Sequence, residues 1–205
     1  PTKGKIFINN KIHFYKFNNR GNIAKSRNYG ISKSTGKYLC FLDSDDYWKN
    51  DKLELTFNKI KEGYSFIYHD MIITKKLLFF YRKVPYCRKL TKPSKLNLIV
   101  EGPAFPTSSV CLKKSNFKSI GGFDESEELI AWEDFDAWIR YSEIDQNSYK
   151  IEKTLGYLRV DDENYLDDEK AIKNIFTFKK KYLSDKKLPN WALFSLARSY
   201  YRKNE

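Results

Sequence analysis

Five residues in a row, Tyr38-Leu39-Cys40-Phe41-Leu42, are apolar and stop abruptly at Asp43-Ser44-Asp45-Asp46. A run this short, bounded by Gly36 and by acids, fits a strand covered on both faces, as in a mostly parallel sheet. Helical patterns stand on either side of it. Asn22 is placed to cap a helix running to about Thr35, with Gly36 as its stop. A second helix spans about Asp51 to Glu62, with Leu53, Phe57 and Ile60 on one face and Gly63 as terminator. Alternating strands and helices predict an α/β fold. In open α/β sheets ligands bind beyond the carboxyl ends of strands, and Asp43, Asp45 and Asp46 sit at such an end.

The remaining pattern is consistent with this class. Lys11 to Phe17 alternates as a strand, and Asn18 to Gly21 reads as a turn. Tyr64 to His69 is a further strand, and residues 71 to 84 form a hairpin or an extended excursion. Pro85, Pro93, Pro103 and Pro106 make the next stretch mostly loop, with a short helix at Lys95 to Val100. Ser108 to Leu112 is strand-like and Gly121-Gly122 is a turn. Trp132, Phe135, Trp138 and Ile139 have helical spacing, which predicts a helix over 132–143. Lys150 to Val160 is extended, and helices near 168–183 and 190–202 finish the chain.

Of the 205 residues, 41% are hydrophobic and 17% aromatic, which suffices for one core. The net charge of +12 admits nucleic acid, an anionic membrane surface or a phosphorylated small molecule as partner; solubility alone would also explain it. The basic residues are scattered rather than gathered in one arm, which argues against nucleic acid. Cys40, Cys87 and Cys111 follow no regular spacing, and the chain has only His13 and His69. That excludes a disulfide framework or a Cys/His metal site and fits a reducing, cytoplasmic setting. The apolar stretch from Met71 to Tyr81 is interrupted by Lys75-Lys76 and is too short to span a bilayer.

Three carboxylates within four residues repel one another unless a cation joins them. Oxygen ligands suit Mg²⁺ or Mn²⁺, which bridge protein carboxylates to a substrate's phosphates. The plain alternative is a polar turn capping the next helix. A rival enzyme reading is a phosphatase of haloacid-dehalogenase type, which also places Asp-x-Asp after an apolar strand; Asp46-Tyr47 departs from its usual continuation. A second acidic stretch runs from Gly121-Gly122-Phe123-Asp124-Glu125 to Trp132-Glu133-Asp134-Phe135-Asp136-Ala137-Trp138-Ile139-Arg140. Acids in a first helical turn are also favoured by the helix dipole alone.

Taken in order, these segments resemble the family-2 glycosyltransferases. The resemblance is carried by Ala24-Lys25-Ser26-Arg27-Asn28, then Gly36-Lys37-Tyr38-Leu39-Cys40-Phe41-Leu42-Asp43-Ser44-Asp45-Asp46, then Gly121 to Glu125, then Glu133-Asp134, and covers roughly residues 10–165. It implies a GT-A, Rossmann-like nucleotide-diphospho-sugar transferase fold with a mixed sheet. It implies a nucleotide-sugar donor, a carbohydrate or lipid-linked acceptor and no nucleic acid, in surface polysaccharide or glycolipid synthesis at the inner face of a membrane. Asp45, with Asp43, would hold Mn²⁺ or Mg²⁺ on the diphosphate. Asp43 would contact the nucleoside ribose or share in that metal network, and Arg27 and Asp46 would lie near the nucleotide. Asp134 would be the general base of an inverting transfer and Glu133 an orienting or acceptor-binding group. Leu155-Gly156-Tyr157-Leu158-Arg159 resembles a late strand whose arginine closes over the diphosphate, although Leu158 stands where the family usually has an aromatic; an ion pair is the other role open to Arg159.

Family-2 domains usually begin with an apolar strand, a helix and a second strand before the Arg-Asn helix, and nothing before Lys11 resembles these. The expectation is therefore a catalytic domain over 1–165 that lacks its first strands, followed by a helical extension over 166–205. The Tyr38–Leu42 strand should then have one edge open or covered by an improvised neighbour.

Overall fold

The computed structural model describes residues 12–77, 80–159 and 167–203. Helix α1 (Ile23–Lys33) begins at Asn22, whose side-chain oxygen accepts the Lys25 N–H. It ends at Ser34 in extended conformation, two residues before Gly36. Strand β1 (Tyr38–Cys40) and the short β2 (Tyr47–Trp48) bracket the acidic turn, and α2 (Lys52–Lys61) follows. Gly63, with φ of 95°, turns the chain out of α2 into β3 (Phe66–Leu77), which forms a hairpin with β4 (Phe80–Tyr86). Then come α3 (Ser94–Glu101), a 3₁₀ turn (Thr107–Ser109), β5 (Cys111–Lys113), α4 (Lys114–Ser119), α5 (Glu133–Ile144) and β6 (Ser148–Leu158). Helices α6 (Asp168–Phe178) and α7 (Asn190–Lys203) close the chain, joined by a π-helical turn over Lys179–Leu183.

The sheet order is β1-β5-β3-β6-β2, with β4 on the distal half of β3. Among the described residues only β3 and β6 run parallel; the other pairings are antiparallel. The sheet is thus mixed rather than mostly parallel, and β1 is not a doubly covered central strand. Among the described residues β1 pairs only with β5 and ends the sheet, so Leu39 is buried while Tyr38 and Cys40 are half-buried. Of the strand expected over 11–17, the described residues 12–17 are irregular and exposed, with Phe17 stacked on Tyr29 at 4.4 Å. Residues 1–11 lie outside the described part.

The two faces of the sheet are filled differently. On one, Phe66, Tyr68, Phe105, Phe117, Phe123, Trp138 and Tyr141 form an aromatic core beneath α3 and α5. Phe178 and Leu183 enter this core from the C-terminal segment, and Trp191 packs on its margin against Trp132, Phe135 and Phe178. On the other face, α2 covers Ile67, Ile151 and Leu155. Here the helix is rotated from the expected orientation. Lys52 and Thr56 point inward and are buried, whereas Leu53 and Phe57 are more than half exposed. The Lys52 stem lies under Trp48, with Nζ 3.7 Å from the ring centroid, and a lysine's four methylenes fill the space a leucine would otherwise take.

Candidate functional site

The turn after β1 is built by backbone and hydroxyl bonds. The Asp46 N–H donates to Asp43 O at 3.1 Å, and the Asp43 N–H donates to Ser108 Oγ at 3.0 Å. Trp48 Nε1 donates to Ser108 O at 2.7 Å. With these bonds made, the Asp43 and Asp45 carboxylates are left to the open side: Asp43 is 32% exposed in its side chain and Asp45 is exposed. Asp46 turns the other way and accepts the Arg159 backbone N–H at 3.2 Å. Burial raises the Asp46 pKa, partly offset by Ser108 and the Arg159 N–H, with Asp45 and Asp43 adding repulsion.

The second acidic stretch meets the first through one guanidinium. Arg27, on α1, donates to Asp43 Oδ1 and to Glu133 Oε1, both at 2.7 Å. Its side chain is 12% exposed and that of Glu133 is 6%. Burial alone would lower the Arg27 pKa, but Asp43, Asp134 and Glu133 outweigh it and hold the group above its ordinary value. Glu133 is pushed up by burial and by Asp134, against the pull of Arg27, and its Oε2 has no hydrogen-bond partner. Asp134 is half-buried. Its Oδ2 accepts the Thr107 hydroxyl at 2.8 Å, and its Oδ1 accepts the Phe135 N–H at 2.6 Å.

Two glycines explain how this corner closes. Gly121 and Gly122 both have positive φ, and a Cβ on Gly122 would lie 2.8 Å from Asn28 Oδ1. Asn28 thereby reaches the backbone of the turn: its amide donates to Phe123 O at 2.8 Å, and its oxygen accepts the Phe123 N–H at 3.0 Å. The same amide donates to Glu125 Oε1. Ala131 just ahead of α5 has φ of 69°, a left-handed conformation costing about 1 kcal/mol in a residue with a Cβ. Such strain is concentrated where a side chain must be aimed, here at the entry to Glu133 and Asp134.

The structure therefore brings Arg27, Asp43, Asp45, Asp46, Glu133 and Asp134 to one region beyond β1, and Arg159 reaches it through its backbone. The segment Pro106 to Val110 resembles the family's strand leading toward the acceptor site, and the structure makes Thr107–Ser109 a 3₁₀ turn there; what sequence reading missed is the contacts of Thr107 and Ser108 with the acids, and Tyr86. Tyr86, at the end of β4 and 42% exposed, is raised by partial desolvation and by the Asp134 charge, which places it beside that acid. Ser108 began the segment read as a strand and Thr107 stood just ahead of it, and nothing in their local pattern marks hydroxyls that bond to the two acidic motifs. Among the described residues no three His, Cys, Asp or Glu side chains converge to hold a metal ion. One Asp43 oxygen is taken by Arg27 and Asp45 is free on the open side. That donor set fits a Mg²⁺- or Mn²⁺-type ion held by one or two carboxylates, with phosphates and waters supplying the other ligands, and does not fit an all-protein cage.

Residues 5–114 match the family model described as glycosyl transferase family 2. The putative teichuronic acid biosynthesis glycosyltransferase TuaG of Bacillus subtilis is 43% identical over 47 residues, 23% of this chain and 19% of that protein. The putative glycosyltransferase EpsE of the same organism is 22% identical over 143 residues, 70% of this chain and 50% of that one. The fold resembles the crystal structure of S. aureus TarS, with a TM-score of 0.59 and 19% identity, over 92% of this chain and 32% of that one. The chain thus spans half or less of the length of these relatives. The matched segment is more than half of the chain and holds β1, α1 and the acidic turn, so the chain belongs to glycosyl transferase family 2.

Proposed function

We propose that this chain transfers a sugar from a nucleoside-diphosphate sugar to an acceptor hydroxyl, with inversion, in the synthesis of a surface polysaccharide or glycolipid. The observation that supports it is the Arg27 bridge, because one guanidinium spans the donor-side Asp43 and the helix-opening Glu133. The relatives' names, which include teichuronic acid and amylovoran biosynthesis, favour a carbohydrate product.

Asp134 is the general base. It is half-buried beside Arg27 and anchored by Thr107 and the Phe135 N–H, so its position is fixed before the acceptor arrives. Glu133 orients the acceptor side while neutralised by Arg27. Asp43 and Asp45 hold Mg²⁺ or Mn²⁺, which when bound supplies positive charge to the departing diphosphate. Arg27, Asp46 and Arg159 complete the donor side, with Asp46 tying the end of β6 to the acidic turn. The net charge of +12 suits an anionic donor and an anionic lipid surface carrying the acceptor. No helix among the described residues is long and apolar enough to cross a membrane.

The test is titration of UDP, GDP and TDP with and without Mn²⁺, using the parent and Asp45→Ala. Metal-dependent binding of at least one nucleotide, lost in the variant, is expected. Equal affinity in all four conditions overturns the donor-site assignment.

A further inference from the structure

Outside the site, the group least explained by packing is the pair Cys40 and Cys111 beside the buried Lys52. Cys40 and Cys111 face each other in register across β1 and β5. The Phe41 N–H donates to Val110 O at 3.4 Å and the Lys114 N–H to Lys37 O at 2.9 Å. Residues 37 and 41 are therefore hydrogen-bonded positions, and by alternation Cys40–Cys111 is a non-hydrogen-bonded pair. Such pairs approach to about 4.5 Å between Cα atoms, inside the roughly 4.4–6.8 Å that a disulfide spans. The two thiols differ in access. Cys40 is half-buried on the end strand, while Cys111 behind it is 1% exposed.

Lys52 gives the second, independent observation. It is 0% exposed, its Nζ lies 3.7 Å from the Trp48 ring centroid and against the Cys40 thiol, and among the described residues no carboxylate pairs with it. A buried ammonium without an anion is costly. The group at hand that can supply the anion is the Cys40 sulfur. Its thiol is drawn down by the hydrogen bond with Cys111 and, against burial, by the Lys52 charge, while that same bond and burial push Cys111 up.

We propose that Cys40 and Cys111 form an oxidisable dithiol site, with Cys40 as the attacking and Cys111 as the resolving thiol, acting on hydroperoxides. The Cys40 thiolate attacks the peroxide: an S–O bond forms, the O–O bond breaks, and the departing oxygen takes a proton and leaves as water or an alcohol. Cys40 is then a sulfenic acid. The Cys111 sulfur attacks it, S–S forms, S–O breaks, and the hydroxide leaves with the Cys111 proton as water. Two thiols are oxidised and one peroxide is reduced. The new bond ties β1, three residues before Asp43, to β5, which follows the Ser108 hydroxyl that accepts the Asp43 N–H. Cys87 is a built-in control, because its thiol donates to His69 O at 2.9 Å and burial pushes it up to about 12.

The experiment treats the full chain with hydrogen peroxide, then denatures it and counts free thiols with a maleimide. Cys40 and Cys111 should be lost together, the monomer mass should fall by two hydrogens, and Cys87 should stay free. In Cys111→Ser, oxidation should stop at a sulfenic acid that dimedone traps at position 40. Lys52→Met should slow thiol loss about tenfold through the loss of the adjacent charge. The oxidised parent should melt about 4–10 °C higher than the reduced one, since a long loop is closed, and dithiothreitol should reverse this. Cys87 reacting as fast as Cys40, bonds between chains in place of an internal one, or three surviving thiols would each overturn the proposal. If Lys52→Met fails to fold, the Cys111→Ser arm still decides.

Discussion

The two acidic motifs are held in opposite ways. The first, Asp43 to Asp46, is a turn whose backbone is fixed by Ser108; Arg27 takes one Asp43 oxygen, while the Asp45 carboxylate stays exposed. The second, at the head of α5, has every carboxylate engaged. Glu133 meets Arg27, Asp134 meets Thr107, and Asp136 accepts Arg140 Nε at 2.7 Å, Lys181 Nζ at 2.6 Å and the Tyr182 hydroxyl. Side-chain exposure follows the same division, 32% at Asp43 against 6% at Glu133 and 1% at Asp136. An open cluster suits charges that arrive with a ligand, whereas a closed one suits a group whose direction must be set beforehand.

The comparison breaks most visibly at Asp134. Asp134→Asn keeps the shape and removes the proton acceptor, so transfer should fall by about 10²–10⁴ while donor affinity stays within twofold. Side-by-side turnover and nucleotide titration check this; a variant keeping more than about a tenth of the rate would contradict the role.

Asp136 probes the closed motif as structure. Asp136→Ala leaves Arg140, Lys181 and Tyr182 without their shared acceptor and should cost about 3–5 kcal/mol. Urea unfolding with unchanged m-value measures it, and a loss under 1 kcal/mol would mean the hub is solvated.

The open motif should answer the other way. Asp45→Ala should weaken metal-dependent nucleotide binding tenfold or more yet shift the melting temperature by no more than about 2 °C, because an exposed side chain carries little stability. A large thermal shift would erase the distinction between the motifs.

The smallest effect is a pH slope at Glu133. Its carboxyl is held above the ordinary range, so the folded state binds more protons than the unfolded one in the window just above the unfolded value. Stability from this group is present below that value and is lost as pH rises through the folded one. Glu133→Gln should flatten this part of the stability–pH curve, measured by denaturant titration from pH 4 to 7. An unchanged slope would locate the titration elsewhere.

Much of this site could be read from the chain because its parts are short and local. Asn22, Gly63 and Gly121-Gly122 cap or turn the backbone in ways that depend on a few neighbours, and each does so here. The acids came out together because strand ends and helix starts converge in this class. What escaped depends on distant partners. Leu53 and Phe57 share a helical face with Ile60, yet the helix turns Lys52 and Thr56 inward, a rotation of about one residue. Periodicity finds a stripe, but the choice between adjacent stripes is made by Trp48, which offers a lysine its ring. Likewise β1 read as central because its residues are apolar, whereas strand order is set by pairings that no local run encodes. Arg140 and Asp136 stand four apart and could have been paired from sequence; Lys181 and Tyr182 could not.

Gly102 ends α3 with φ of 82°, and a Cβ there would come within 2.8 Å of the Trp191 ring. The indole lies against this bare backbone and donates from Nε1 to Ile99 O at 3.0 Å. One missing methyl is thus the seat for the C-terminal helix. In descent, the two positions are free to drift only as a pair: a lineage that loses the indole releases the glycine from steric selection, though not from its left-handed turn. One that gains a side chain at 102 must first give up the ring. A survey of natural variants that found tryptophan at 191 beside bulky residues at 102 would show the helix seated some other way.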